Sequence, residues 1–354
     1  MDFEFPFPAD MLVPALVAVL VGVIGMLAYM SLKPPPAKIC GSVNGPPIES
    51  PRVRLSDGRH LAYREVGVPR EEARHKIVVV HGFNSSKDMN LPIDRELIDE
   101  LKLYVLYYDR AGYGESDPHS PRSVKDEAYD IQELADRLGI GPKFYVIGVS
   151  MGGYPAWSCL KYIPHRLSGV ALVVPFVHYW WPKFPRSLMQ GAFMKLPLLD
   201  QWTFRLGYHA PWLIYRWMTQ KLFTPLSIMS GDMTMFSRKD LDVLNNKSFS
   251  TNLRRDKVTQ QGVYPSIHQD FITAYSRWGF GPLELENPFQ NHEGSVHIWQ
   301  GYEDKIIPYE VNRYIADKLP WIRYHEVPDG GHLFMYERDF CVRLIRSLVA
   351  APLS

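Results

Sequence analysis

One serine lies in a glycine-rich motif whose residue types and spacing suit nucleophilic chemistry. Residues 148–152 read Gly-Val-Ser-Met-Gly, with Ser150 in the middle, and they connect an apolar run at 143–148 to a helical pattern at 151–163. A G-x-S-x-G sequence between a strand and a helix is typical of a sharp turn that presents the serine hydroxyl to a substrate. A serine before a helix is often only an N-cap, but this context favours a catalytic role. We therefore predict that Ser150 is a nucleophile.

A serine nucleophile needs two partners, because its hydroxyl is weakly nucleophilic at its ordinary pKa. A histidine must accept the proton, and a carboxylate must orient that histidine. His332 follows two glycines and an apolar run at 322–327, and Asp304 follows the run at 295–300. Serine, acid, histidine is the chain order expected for a site built on this motif. We predict His332 as the base and Asp304 as the acid, with the adjacent Glu303 as the competing carboxylate.

The acid could instead follow the preceding strand, as it does in some sites of this type. The strand predicted over 169–174 is followed by Pro175 and Phe176, and the next aspartate is Asp200. No carboxylate therefore stands near that strand end, and this leaves the acid role to the loop after the following strand.

Attack on a carbonyl carbon creates a negative charge on its oxygen, which preorganised backbone N–H groups stabilise. Met151 directly follows the predicted nucleophile, and Phe83 belongs to a His81-Gly82-Phe83 sequence after the apolar run 76–80. We predict that the N–H groups of Phe83 and Met151 form the oxyanion hole. His81 is better explained as a structural partner of its loop than as a general base.

Other chemistry is not indicated. Residues 109–118 form a glycine-rich loop, but they lack the Gly-Lys-Ser/Thr ending of a phosphate-binding loop, so we expect a structural turn. Cys40, Cys159 and Cys341 are far apart, and the twelve histidines contain no HExxH motif. Neither a disulfide framework nor a zinc site is predicted, and a reducing compartment fits the cysteines best. The net charge of +1 gives no nucleic-acid signature.

Strand and helix patterns alternate along the body of the chain. Helical patterns cover 124–138 and 151–163. Seven short β-rich runs are predicted as strands: 60–66, 76–80, 103–108, 143–148, 169–174, 295–300 and 322–327. Continuous apolar strands that alternate with helices favour a mostly parallel sheet covered by helices on both faces. The sequence therefore predicts an α/β fold.

The alternation stops between residues 176 and 282. This stretch has no clear strand pattern, so we predict a mainly helical lid inserted after the strand predicted over 169–174. It holds six of the nine tryptophans: Trp180, Trp181, Trp202, Trp212, Trp217 and Trp278. We expect these side chains to form the core of the lid rather than individual substrate contacts, and to give the site an apolar entrance.

The N-terminal segment has a different composition. Residues 11–32 carry no charge and are bracketed by Asp10 and Lys33. About 20 apolar residues in a helix cross a hydrocarbon core of roughly 30 Å, so we predict a transmembrane anchor. A cleaved signal peptide is less compatible, since Asp2 and Glu4 make the leader acidic. A buried helix of a soluble protein would rarely be apolar on every face.

The flanking charges predict an orientation for this anchor. Lys33 and Lys38 follow the span and no lysine or arginine precedes it, so the positive-inside rule places the rest of the chain in the cytosol. A glycan on the sequon at 84–86 would obstruct the predicted site, which also favours the cytosol. We interpret residues 33–51, rich in proline and glycine, as a semi-rigid tether, and 52–350 as the catalytic domain. The identity of the membrane is left open.

The motifs together resemble a known superfamily. HGF at 81–83, DRAGYGESDP at 109–118, GVSMGG at 148–153, GYEDKIIP at 301–308 and GGH at 330–332 are similar to the motifs of α/β-hydrolases of the AB hydrolase-1 type. The resemblance covers about residues 52–350, and the chain looks closest to plant α/β-hydrolases with an N-terminal membrane anchor. It implies an eight-stranded sheet with the catalytic residues at its carboxyl edge, under a lid.

The resemblance implies a reaction class but no particular substrate. We expect a carboxylesterase- or lipase-like serine hydrolase that acts on a lipophilic ester without a metal or organic cofactor. Epoxide hydrolases and haloalkane dehalogenases of this fold carry aspartate at the nucleophile position, so Ser150 argues against those reactions. A small-molecule receptor with the same residues and an acyltransferase remain as alternatives. The oligomeric state is left open.

Overall fold

A computed structural model describes residues 9–245, 255–289 and 293–350. Part of the predicted lid, residues 246–254, lies outside this described part of the chain. Eight strands form one sheet in the order β1-β2-β4-β3-β5-β6-β7-β8. In chain order they are Arg52–Arg54, His60–Gly67, His75–Val80, Leu103–Tyr108, Phe144–Val149, Leu167–Val173, Val296–Gly301 and Ile322–Val327.

Pairing within the sheet is mostly parallel. Strands β1, β2 and β4 pair antiparallel, while the pairs from β4 through β3, β5, β6 and β7 to β8 are parallel. The predicted mostly parallel sheet is therefore confirmed, and each of the seven predicted strands lies within two residues of an observed one. Strand β1 was not predicted, because its three residues are Arg-Val-Arg and contain no apolar run.

Twelve α-helices are present in the described ranges. In chain order, α1 to α12 are Ala9–Leu32, Arg95–Leu101, Val124–Arg137, Gly153–Tyr162, Arg186–Met194, Leu198–His209, Ile214–Thr219, Arg238–Asn245, Arg255–Val258, Gln269–Ala274, Tyr309–Lys318 and Arg338–Val349. The predicted helical patterns at 124–138 and 151–163 correspond to α3 and α4. Helix α4 begins later than predicted because a 3₁₀ turn, Ser150–Gly152, precedes it.

Helices cover both faces of the sheet, and strand alternation decides which face each side chain joins. In β3, Val78 and Val80 belong to a core shared with α3, α4 and α11, whereas Ile77 and Val79 belong to a core shared with α2 and α12. This division follows from the period of two along a strand. Burial of one such aliphatic side chain contributes about 1.5–3 kcal/mol, so the two layers hold the loops at the carboxyl edge on a rigid frame.

The segment between β6 and β7 is helical where it is described. It contains α5 to α10, and a π-helical turn at Tyr264–His268 runs directly into α10. Its aromatic side chains pack on one another, as in the stacked pair Trp180–Tyr208 with ring centroids 4.6 Å apart. Two of the predicted lid-core tryptophans are instead exposed, Trp202 at 51% and Trp212 at 63%. Their positions on α6 and just before α7 face away from the packed side of the lid.

Helix α1 stands outside both cores. Its residues Val13–Leu32 are long and apolar enough to cross a membrane, with a mean hydropathy of 2.4, and they are unburied by the rest of the chain. The following segment, 33–51, contains neither helix nor strand but contacts the body. The Cys40 N–H donates to Gln261 Oε1 at 3.2 Å, and the Ser50 N–H donates to Glu115 Oε2 at 2.9 Å. These bonds fix where the N-terminal segment joins the folded body.

Candidate active site

The turn after β5 has a strained backbone at Ser150. Its φ angle is +53°, a left-handed conformation that a non-glycine residue rarely adopts. Two glycines make the turn possible by allowing close backbone approach. A Cβ on Gly148 would lie 2.4 Å from the Gly152 oxygen, and a Cβ on Gly152 would lie 2.2 Å from the Val80 oxygen. Strain of this kind persists where the surroundings enforce it, typically at functional sites.

Three of the predicted site residues form a continuous hydrogen-bonded chain. His332 Nε2 lies 3.0 Å from Ser150 Oγ, and His332 Nδ1 lies 2.9 Å from Asp304 Oδ2. They follow β5, β8 and β7, whose carboxyl ends meet at one edge of the sheet. With the proton on Nδ1, the imidazole donates to Asp304 and leaves Nε2 free to accept from the serine hydroxyl. The arrangement can move the Ser150 proton to His332.

The Asp304 carboxylate is held by its own loop. Its Oδ1 accepts hydrogen bonds from the Ile306 and Ile307 N–H groups, both at 2.9 Å, and its Oδ2 accepts from Gln300 Nε2 at 3.2 Å. Asp304 is 6% exposed. The competing Glu303 is exposed to solvent, and only its N–H contacts the histidine loop. Asp304 is therefore the carboxylate that can orient the histidine.

A buried amide pair supports this carboxylate and was not predicted from the sequence. Gln300 Oε1 accepts from Asn312 Nδ2 at 2.9 Å, and the same amide donates to the Pro175 oxygen at 3.1 Å. Both side chains are fully buried. They connect the loop after β7, which carries Asp304 and is called the acid loop, to α11 and to the chain after β6. No short motif marks this pair, because Gln300 and Asn312 are 12 residues apart and the Pro175 oxygen is 137 residues from Asn312.

The electrostatic surroundings favour the charged form of the histidine. Burial opposes the imidazolium, but the negative charge and hydrogen bond of Asp304, together with the charge of Asp240, outweigh it and raise the pKa of His332. An imidazolium that forms during a reaction would therefore be stabilised where it stands.

The two predicted oxyanion residues flank the serine. A Cβ on Gly82 would lie 3.2 Å from the Ser150 Cβ, so the loop after β3 passes directly against the serine. Phe83 and Met151 both line the cavity that contains Ser150. Their positions suit two backbone donors that converge on one oxygen, the arrangement that stabilises a tetrahedral oxyanion.

The contacts of His81 suit a role in holding its loop in place. Its Nδ1 lies 2.8 Å from the Gly82 oxygen, and its Nε2 accepts from the Arg110 N–H at 3.1 Å. Burial, with the charge of Arg110, lowers the pKa of His81 well below its ordinary value. The ring is thus neutral, and its two nitrogens are engaged by Gly82 of its own loop and by Arg110 of the loop after β4.

The glycine-rich loop at 109–118 connects the lid to the loop at 81–83 after β3, which we call the oxyanion loop for the role predicted for Phe83. Arg110 donates from Nε to the His81 oxygen at 3.1 Å and from Nη2 to Asp270 Oδ2 at 2.7 Å. Arg110 and Asp270 are completely buried, and Tyr154 donates from its hydroxyl to Asp270 Oδ1 at 2.7 Å. The loop therefore acts as a structural turn, consistent with its lack of a phosphate-binding ending.

An apolar cavity lies over Ser150. Its single carboxylate, Asp200, is already engaged by the N–H and hydroxyl of Ser227. None of the six lid tryptophans lines it. The lining residues are Phe83, Ser150, Met151, Phe176, Tyr179, Leu196, Asp200, Phe204, Leu226, Ser227, Ile228, Met235, Phe271, Tyr275, Ile306 and Ile307. The cavity can enclose an apolar group whose reactive carbon lies next to the serine.

Metal-binding geometry is absent from the described residues. No group of three or more histidine, cysteine, aspartate or glutamate side chains there is placed to hold a metal ion. The three cysteines are free and buried.

Comparison with known proteins places these features in a family context. The family model for the alpha/beta hydrolase fold matches residues 76–339. An uncharacterized hydrolase of Bacillus subtilis (strain 168), YugF, is 25% identical over 294 residues, which cover 80% of this chain and 91% of that protein. A second protein of that bacterium, provisionally named a 2-succinyl-6-hydroxy-2,4-cyclohexadiene-1-carboxylate synthase, is 32% identical over 123 residues. That match spans 34% of this chain and only 42% of the relative.

Solved structures share the fold at low sequence identity. A thermophilic esterase from Thermogutta terrifontis superposes with a TM-score of 0.55 at 20% identity, over 85% of this chain and 97% of the esterase. The enol-lactonase from Burkholderia xenovorans LB400 gives a TM-score of 0.58 at 16% identity, over 84% of this chain and 98% of that chain. The predicted likeness to membrane-anchored plant hydrolases stays a prediction.

Proposed function

Because the chain belongs to the α/β-hydrolase family, we propose that it is a serine hydrolase that cleaves a carboxylic ester of a lipophilic small molecule. One observation carries the proposal: Ser150, His332 and Asp304 are joined by hydrogen bonds of 3.0 and 2.9 Å, and Ser150 lines an apolar cavity. This is the geometry that a serine nucleophile, its base and the orienting acid require.

In the first half-reaction, Ser150 Oγ attacks the ester carbonyl carbon as its proton passes to His332 Nε2. Asp304 fixes the imidazole tautomer and stabilises the imidazolium. The N–H groups of Phe83 and Met151 hold the oxygen of the tetrahedral intermediate. When that intermediate collapses, the carbon–oxygen bond to the alcohol breaks, and the alcohol leaves with the proton from His332.

In the second half-reaction, water takes the place of the alcohol. His332 accepts a proton from the water, whose oxygen attacks the acyl carbon on Ser150. The second tetrahedral intermediate uses the same two backbone donors and then releases the carboxylic acid. Ser150 recovers its proton from His332, and neither step uses a metal or an organic cofactor.

The cavity supports a lipophilic substrate. Its walls are mainly aliphatic and aromatic, and Asp200 is engaged by Ser227. Such walls favour an apolar acyl or alcohol group, because binding removes apolar surface from water. Similarity in fold to an esterase and to an enol-lactonase is compatible with ester or lactone substrates.

A panel of p-nitrophenyl esters of rising acyl length tests this proposal on the full chain in detergent. We expect kcat/KM to rise from acetyl to medium-chain esters and to fall by at least about 10⁴-fold in Ser150→Ala. Unchanged turnover by Ser150→Ala would refute the serine mechanism. A preference for acetyl esters would refute the lipophilic substrate but leave the mechanism intact.

The same assay distinguishes the two alternatives that share this site. In the presence of a primary alcohol, hydrolysis predicts the free acid as the main product, whereas an acyltransferase would yield mainly the new ester. A receptor that slowly cleaves its ligand would give one product equivalent per protein instead of continuing turnover. We expect multiple turnovers with the free acid as product.

We further propose that α1 attaches the protein to a membrane, with the catalytic body on the cytosolic side. Residues Val13–Leu32 are apolar and unburied, and Lys33 and Lys38 follow them. Helix α1 lies against α7 of the lid. The lid near this contact exposes Trp212 at 63% and Leu222 at 90%. Apolar side chains next to the end of a membrane helix are compatible with a lid that lies close to the bilayer.

A further inference from the structure

A second carboxylate, Asp240 on α8 of the lid, contacts the loop that carries the catalytic histidine. Its Oδ2 accepts from the His332 N–H at 2.9 Å, and its Oδ1 accepts from the Leu333 N–H at 2.6 Å. Asp240 is 1% exposed. The two donors belong to the peptide groups before and after His332, so the carboxylate fixes the backbone on both sides of the histidine.

The Asp240 carboxylate also caps the N-terminus of its own helix, α8. Asp240 Oδ2 accepts a hydrogen bond from the Ser237 N–H at 3.0 Å, and the Asp240 N–H donates one to Ser237 Oγ at 3.2 Å. This is a reciprocal capping box. A capping box needs only one oxygen of the acidic residue and is usually found at the surface. Here the same carboxylate is buried and serves two further donors from a loop 92 residues away.

Packing leaves no room for a different arrangement at this junction. A Cβ on Gly331 would lie 2.0 Å from Asp240 Oδ2 and 2.2 Å from Ser237 Oγ. On the other side, a Cβ on Gly301 would lie 2.2 Å from the Gly331 oxygen. The histidine loop is therefore clamped between the acid loop and the lid helix. A pair of exposed charges, Lys239 and Asp329, joins the same two segments.

We propose that Asp240 is a positioning residue contributed by the lid: its carboxylate holds the backbone at His332 and Leu333 so that the imidazole stays aligned between Ser150 and Asp304. The inference rests on the proposed serine mechanism. Asp240 does not contact the reacting atoms and acts through His332. The lid is then part of the catalytic apparatus, because correct seating of α8 is needed for a competent base.

Two consequences distinguish this role from simple helix capping. Loss of the clamp lets the imidazole leave its alignment, which lowers kcat with little change in KM. Loss of the negative charge also removes one of the influences that favour the imidazolium of His332, so the pKa of His332 falls. A cap that only stabilises α8 would produce neither effect in the folded protein.

The test uses Asp240→Asn in the full chain, with two matched controls. Ser237→Ala removes the other half of the capping box but leaves both bonds from the histidine loop to Asp240. Asp242→Asn makes the same chemical change at an exposed position of the same helix. Circular dichroism establishes that each variant is folded, and Asp240→Ala provides a second variant should the asparagine one fail to fold.

The first readout is the rate at which a fluorophosphonate probe labels Ser150, together with kcat and KM on an ester. We expect Asp240→Asn to lower the labelling rate and kcat by about 10- to 100-fold, with KM within about twofold of the wild type. Ser237→Ala and Asp242→Asn should keep both rates near the wild-type values. Equal losses in Asp240→Asn and Ser237→Ala would overturn the proposal, since helix capping alone would explain them.

The second readout is independent of catalysis. NMR titration of histidine-labelled protein, with the His332 signal assigned by its loss in His332→Gln, reports the pKa of His332. We expect a lower value in Asp240→Asn and an unchanged value in Asp242→Asn. If wild-type protein is not labelled at Ser150, the proposed function fails, while the titration still decides the clamp. An unchanged His332 pKa and signal position in Asp240→Asn would refute the clamp even in an active esterase.

Discussion

At the scale of single residues, the candidate site consists of a hydroxyl, an imidazole and a carboxylate in hydrogen-bonding order, with an apolar cavity over the hydroxyl. Residue type and chain order predict Ser150, Asp304 and His332 as nucleophile, acid and base, because a serine nucleophile needs those partners in that sequence. Their contacts of 3.0 and 2.9 Å follow from the sheet edge that they share. Asp240 could not be predicted in the same way, because its partners come from a loop 92 residues away.

The pKa of His332 sets the pH dependence. His332 must be neutral to accept the serine proton, and its pKa is raised above the ordinary value of 6.5. Activity should therefore be full above the raised pKa and fall as the pH is lowered through it. We expect the acid limb of the kcat/KM profile of free enzyme to have its midpoint above 6.5. A midpoint below 6.5 would contradict the described surroundings of His332.

At the scale of elements, the regular parts of the fold were predictable and the connections between them were not. Seven strands and the helices α3 and α4 were predicted from the apolar patterns of their sequences. Strand β1 was missed because it is held by pairing with β2 rather than by its own composition. The lid was predicted as helical, but the direction in which Trp202 and Trp212 face is decided by packing between helices, which no local pattern encodes.

The connection between the lid and the oxyanion loop is the strongest candidate for a stability effect at this scale. Asp270→Ala would leave the buried charges of Arg110 and Arg122 without their shared carboxylate. Breaking one partner of a buried ion pair typically costs about 3–5 kcal/mol. We expect a loss of that size in the free energy of unfolding, measured by chemical denaturation with tryptophan fluorescence.

Asp256→Ala provides the control for that measurement. Asp256 is an exposed residue of α9 in the same part of the lid, so the same substitution should change the free energy of unfolding by no more than about 0.5 kcal/mol. Equal effects of the two substitutions would mean that the Arg110–Asp270 contact does not hold the lid to the oxyanion loop.

At the scale of the whole molecule, the N-terminal part is the least constrained by known proteins. The family match begins at residue 76, so α1 and the segment 33–51 lie outside it. The hydrogen bond from Cys40 to Gln261 nevertheless places the segment that follows α1 beside the lid. Membrane attachment, its orientation and the domain boundaries therefore stay predictions that rest on hydropathy and on a few charges.

Protease treatment of intact microsomes tests the orientation. If α1 spans the membrane with the catalytic body in the cytosol, the protein should stay with the membrane in alkaline carbonate, and external protease should digest the body. The sequon at 84–86 should also carry no glycan. Release by carbonate would argue against a spanning helix, whereas a protected and glycosylated body would reverse the orientation.

The central claim is that Ser150 is the nucleophile, and mapping a covalent adduct tests it most directly. Full-length protein treated with a fluorophosphonate probe should gain one adduct, located by peptide mass spectrometry on Ser150. Ser150→Ala should gain none, and His332→Gln should react far more slowly because the serine has lost its base. An adduct on another residue, or equal labelling of Ser150→Ala, would contradict the account.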